Sequence, residues 1–134
     1  GPFIRLFDDN FTLDDIRNIE INLKIEGKND NYILNGFSNM KEISRDPSDL
    51  VKQTLGNHHQ YPDGMLLFLG TLFAPTQDRD VKGEGFTHKI DDIVTISASG
   101  LGYLSNQVKL STNCDKWTFG VSALMNNLSN RNLL

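Results

Sequence analysis

The chain has 134 residues and a formal charge of -4, with an isoelectric point near 5.2. It therefore lacks the basic field whose counterion release drives nucleic-acid binding, its apolar runs fall short of the ~20 residues of a membrane helix, and its single cysteine, Cys114, excludes an internal disulfide. With 38% apolar and 22% charged residues, one folded domain over 1–134 is expected, burying roughly two thirds of its unfolded surface, in the cytoplasm because no secretory leader is visible.

Ile19, Ile21, Leu23 and Ile25 alternate with Glu20, Asn22, Lys24 and Glu26, the period of two that gives a strand one dry and one wet face. Gly27-Lys28-Asn29-Asp30 then supplies turn residues and Tyr32-Ile33-Leu34 resumes an apolar run, which predicts a hairpin. Asp46-Pro47-Ser48-Asp49 has the chemistry of a helix start, and Leu50, Val51, Thr54 and Leu55 follow at helical spacing before Gly56. Tyr61-Pro62-Asp63-Gly64 predicts a turn, and the continuous run 65–69 predicts a strand buried on both faces.

Residues 75–92 are polar and glycine-containing, and longer than most connections. Residues 93–98 and 103–110 read as a second hairpin around Gly100-Leu101-Gly102. Finally, Val121, Leu124, Met125 and Leu128 lie at i, i+3, i+4 and i+7, one face of a helix that Trp117 and Phe119 help to dock. The expected class is mostly β of the α+β type: two hairpins, a central buried strand and two short flanking helices.

Most polar clusters have a plain structural explanation. His58 and His59 are sequence neighbours, so they point apart on either a strand or a helix and do not readily share an ion. Asp78-Arg79-Asp80 offers hard oxygen donors, but solvation of the loop is the favoured role. Cys114 has no His or Asn constellation beside it. The glycines Gly100 and Gly102 lie between strands rather than before a helix, and Asp91-Asp92 reads as a charge placed at a sheet edge. Gly70-Thr71 stands apart because it ends an apolar run and opens the long polar loop. There a glycine admits a ligand close to the main chain and a threonine adds a hydroxyl and an N–H, although a mere strand end would look the same.

The order of these motifs resembles the C-terminal half of the fumarylacetoacetate hydrolase family. Tyr61-Pro62-Asp63-Gly64, the apolar run into Gly70-Thr71, Asp91-Asp92-Ile93-Val94 and the stretch Gly100-Leu101-Gly102-Tyr103-Leu104-Ser105-Asn106-Gln107-Val108 are similar to its Pro-Asp-Gly-like turn, Thr-Gly-Thr, Gly-Asp and Gly-x-Gly-x-Leu-x-Asn-x-Val hairpin. Gly1-Pro2-Phe3-Ile4 resembles the segment that leads into this half. Trp117-Thr118-Phe119-Gly120, Ala123-Leu124-Met125 and Asn127-Leu128 resemble the tail of a bacterial branch similar to 2-keto-3-deoxy sugar-acid dehydratases.

The resemblance implies a mixed β-roll or sandwich core, a homodimer, and a hydrolase or lyase acting on a small-molecule 2-oxo acid, a 2-keto-3-deoxy sugar acid or an acylpyruvate. It implies a divalent cation, usually magnesium, in the complete enzyme. It also implies a substrate-binding role for Gly70 and Thr71 at the acid end of the substrate. Glu84, in the loop that follows, reads first as a solvated loop carboxylate, with an approach to that site as the lesser alternative. Leu69 departs from the first threonine of Thr-Gly-Thr, and Asp91 from the glycine before Asp92.

The family's Glu-x-Glu metal ligands, its aspartate and its lysine belong to an upstream segment, and the four glutamates here are Glu20, Glu26, Glu42 and Glu84, with no Glu-x-Glu among them. The expectation is therefore that this chain, which does not begin with methionine, carries no catalytic and no metal-binding residue, binds no cofactor alone, and needs a missing N-terminal half or partner subunit. A non-catalytic scaffold or dimerisation module is the alternative from another class.

Overall fold

The computed structural model describes residues 4–70 and 73–134. Its centre is one four-stranded antiparallel sheet, built of β1 (Glu20–Glu26), β2 (Ile33–Asn39), β3 (Ile93–Ala98) and β4 (Gly102–Gln107) in the order β2-β1-β3-β4. Three α-helices accompany it: α1 (Leu13–Arg17), α2 (Pro47–Thr54) and α3 (Val121–Asn130). The class is α+β, and among the described residues the α-helices number three rather than the expected two. All three strand pairings are antiparallel, so no parallel component of a mixed roll lies among the described residues.

The alternating pattern of β1 sets the register. Ile21, Leu23 and Ile25 stand opposite Ser38, Gly36 and Leu34 of β2 and opposite Ala98, Ile96 and Val94 of β3. Directly paired residues share a face, so these side chains form one surface, apolar apart from Ser38, which Leu104 extends onto β4. Phe73 covers the β2 side of that surface. A Cβ on Gly36 would lie 2.3 Å from its ring, so glycine is what lets the ring settle on the strand.

Both predicted hairpins form. The first turns through Asn31 at φ 53° and closes with Gly27 N–H donating to Tyr32 O at 2.8 Å. The second strand of the other hairpin stops at Gln107 rather than 110. Its ladder nevertheless continues for one step, as Val108 N–H donates to Asp92 O at 2.9 Å and Asp91 N–H to Val108 O at 2.8 Å.

Helix α2 starts as its sequence dictates: the Asp46 carboxylate accepts from Ser48 N–H at 2.8 Å and Pro47 occupies the first turn. Asp46 also takes the Nε–H of Arg17 at 2.6 Å, which ties α2 to α1. Helix α1 escaped the periodicity reading because five residues are too few to show a stripe. Its signal is Thr12 with Asp15 three residues on, whose carboxylate accepts from Thr12 N–H at 2.7 Å.

Two expectations about packing are overturned. Residues 65–69 form no strand, and Leu66 and Phe68 are 88% and 87% exposed. A strand buried on both faces needs a hydrogen-bonded neighbour, and the sheet order provides none for this run. Trp117, at 84% exposure, does not dock α3, whose Val121, Leu124 and Met125 are also exposed. Among the described residues the buried apolar side chains are Phe11, Ile25, Leu34, Met40 and Pro47.

The total accessible surface of 10782 Å² exceeds the about 7,000 Å² of a compact 15.1 kDa monomer. Burial is consequently about half of the unfolded surface, short of the two thirds expected. No helix among the described residues is long and apolar enough to cross a membrane.

Candidate functional site

Gly70 lies where the apolar run gives way to the loop. It is exposed, sits at φ +87°, and has open space where a Cβ would project. Backbone strain rather than crowding therefore favours glycine here. Its partner in the sequence reading, Thr71, lies outside the described residues. Just before Gly70, Leu67, Phe68 and Leu69 face Leu50, Gln53, Thr54 and Arg45 across a groove of about 350 Å³. Arg45 lends this groove a cation, already bonded to Asp49 through Nε and Nη2 at 2.9 and 2.7 Å.

The loop 75–92 holds the densest polar structure of the described residues, and it is built around Arg79. The Arg79 side chain is 1% exposed, as is that of Asp92. Its Nη1 and Nη2 grip both oxygens of the Asp92 carboxylate, the latter at 2.8 Å. Nε and Nη2 donate to Asp30 at 3.1 and 3.2 Å, and Nη1 also donates to Thr87 O at 3.2 Å. All five guanidinium N–H groups are thereby used. The plane lies over the Tyr32 ring, 4.6 Å from its centroid, and Gln77 donates to the Tyr32 hydroxyl at 2.7 Å.

Around this pair the remaining charges are ordered in turn. Lys89 Nζ reaches Asp30 at 2.9 Å and Asp80 at 2.5 Å, while its N–H donates to Asp92 at 2.9 Å. Arg79 holds the Asp92 carboxyl below the usual carboxylate range, and this outweighs the opposing effect of burial. Arg79 and then Lys89 depress Asp30 further. Asp78 accepts from Gly83 N–H at 2.8 Å and Gly85 N–H at 2.7 Å, and those two donors lower its pKa. Glu84 sits exposed between them.

The fold departs from the sequence expectation at two residues. Asp92 is no edge charge but the innermost acid of the chain, and Arg79 is buried rather than solvated. Asp91 alone keeps an edge character, half-exposed and accepting from Gln107 at 2.6 Å. The missed signal was distributed: an Asp in a hairpin turn, an Arg in a loop and an Asp before a strand meet only once the register of β1 and β3 is known.

The other candidates stay apart. His58 and His59 are exposed beyond α2, and Cys114 is exposed with its thiol toward Leu110 O. Among the described residues, no three His, Cys, Asp or Glu side chains group as cation ligands.

Comparison of the chain with protein-family models, curated proteins and solved structures found no match.

Proposed function

We propose that this polypeptide is the C-terminal part of a fumarylacetoacetate hydrolase-like enzyme acting on 2-oxo acids, with a 2-keto-3-deoxy sugar acid or an acylpyruvate as substrate. Gly70 and Thr71 hold the acid end, and the cation-binding carboxylates lie on polypeptide outside these 134 residues. The observation that carries the reading is the order of the motifs from Tyr61-Pro62-Asp63-Gly64 to Val108. Two structural facts support it. Gly100 and Gly102, at φ 78° and 83°, turn β3 into β4 where the resemblance expects a Gly-x-Gly hairpin, and Gly70 presents an open, left-handed backbone to a ligand.

In this role the chain's own residues bind and orient. An exposed glycine N–H and a neighbouring threonine can fix a carboxylate, which lowers the entropic cost of reaching a reactive geometry. The rolled core and a homodimer belong to the same proposal. A specific observation favours the second reading, a non-catalytic scaffold or dimerisation module: the extensive apolar surface described above suits a chain whose task is to be covered.

The native gene product, assayed with magnesium and a panel of 2-keto-3-deoxy sugar acids and acylpyruvates, separates the two. Turnover that Thr71→Val lowers at least tenfold, chiefly through KM, supports the enzyme. No turnover of any substrate in the native product leaves the scaffold. The isolated 134 residues should gain no magnesium-dependent thermal stability from oxalate or pyruvate, and a clear shift would put the cation ligands within this chain.

A further inference from the structure

The Arg79 cluster poses a choice between a ligand-binding arginine and a structural one. A guanidinium that reads a carboxylate or phosphate needs a free edge of its donor fork. Here all five donors are used inside the chain, the side chain is 1% exposed, and the ring of Tyr32 closes one face. A ligand therefore has no edge of Arg79 to bind.

What the cluster joins is more informative. Asp30 belongs to the turn between β1 and β2, Asp92 immediately precedes β3, and Arg79, Asp80, Thr87 and Lys89 belong to the loop. Arg79 and Lys89 thus tie both limbs of the loop to the end of the sheet. Within the loop, Asp78 draws in Gly83 and Gly85, and Arg79 N–H donates to Gly85 O at 3.2 Å. The loop's apolar side chains are little buried: Val81 and Ile90 are 53% and 51% exposed, and the half-buried Phe86 meets the Tyr32 ring at 6.1 Å and the His88 ring at 4.8 Å between centroids.

We infer that the Arg79 cluster is a clamp holding loop 75–92 closed against the end of the sheet as a unit that opens on its own, before the sheet itself unfolds. The clamp keeps Glu84 at the tip of a loop whose shape is already set. The inference does not depend on the proposed reaction, since it concerns local opening only.

Its test is amide hydrogen exchange on the whole chain and on Asp30→Asn and Arg79→Met. Limited trypsin cleavage after Lys82 and Lys89 serves as a second readout. Asp30 is the outer arm of the clamp, 28% exposed at its side chain, so Asp30→Asn is the variant expected to fold even if Arg79→Met does not. In the unaltered chain the Gly85 and Lys89 amides should exchange at least tenfold faster than Leu23 and Ile25 of β1, each relative to its intrinsic rate, and Asp30→Asn should raise the two loop rates about tenfold or more. Equal protection of loop and sheet in the unaltered chain would overturn the clamp, because it would show one cooperative unit. No rise at the loop amides in Asp30→Asn would overturn it equally.

Discussion

At the scale of single residues the buried pair Arg79–Asp92 decides most. Removing one member leaves the other as an uncompensated charge out of reach of water, which costs about 3 kcal/mol or more. Arg79→Met should lower the urea midpoint accordingly. Arg79→Lys should recover little of the loss, because an ammonium cannot span two carboxylates and a carbonyl with a planar fork.

The pH dependence has a definite sign. Asp92 and Asp30 titrate below their ordinary range in the folded chain, so their stabilisation is complete above about pH 5 and fades as the pH falls through the depressed values. Unfolding midpoints measured from pH 7 down to pH 2 should show this acid loss, and Asp92→Asn should flatten it while starting from a lower value. Gly27 belongs to the same site. A Cβ there would lie 2.0 Å from Asp30 Oδ1 and 2.7 Å from Arg79 Nη2, so Gly27→Ala should push Asp30 off the guanidinium and reproduce the loop exchange of Asp30→Asn.

At the scale of elements, the contact between Phe73 and Gly36 fastens the loop-bearing segment to the sheet. Gly36→Val should be strongly destabilising because the ring already occupies the space. A double variant with Phe73→Ala should be less destabilised than the sum of the two singles, as a thermal unfolding cycle would show. That contact also marks where sequence reading stops. The β1 strand and both hairpins were legible because a period of two and turn residues are local signals, and α2 because Asp46-Pro47 and its spacing are local too.

Helix α1 was too short to show a period, and the run 65–69 was misread because composition does not reveal whether a pairing partner exists. At the candidate site the same division holds. Gly70 stands out by its position after an apolar run, whereas Arg79, Asp92 and Asp30 are 13 and 49 residues apart from one another's partner, and only the fold brings them together. Phe73 over Gly36 is of this second kind as well.

At the scale of the whole molecule, the accessible surface exceeds that of a compact monomer by about 3,700 Å². A standard protein interface buries about 800 Å² on each partner, and obligate interfaces about 1,000–2,500 Å². The excess therefore exceeds what one ordinary contact would cover and lies above the obligate range as well. Its apolar content is spread over Leu66 and Phe68 before the loop, Ile33, Phe37 and Tyr103 on the outer sheet face, and Trp117 and Val121 near the C-terminus.

Such surface is unfavourable in water by roughly 25 cal/mol for each apolar Å², so the isolated chain should not persist as a dilute monomer. Sedimentation velocity at micromolar concentration should give species heavier than 15.1 kDa, together with strong binding of an apolar dye. Leu66→Asp with Phe68→Asp should reduce both, since that pair is the most exposed part of the longest apolar run. A chain that sediments as a clean monomer and leaves the dye unbound would refute a surface built for covering. The clamp at the sheet end would stand regardless, because its donors and acceptors all lie within the chain.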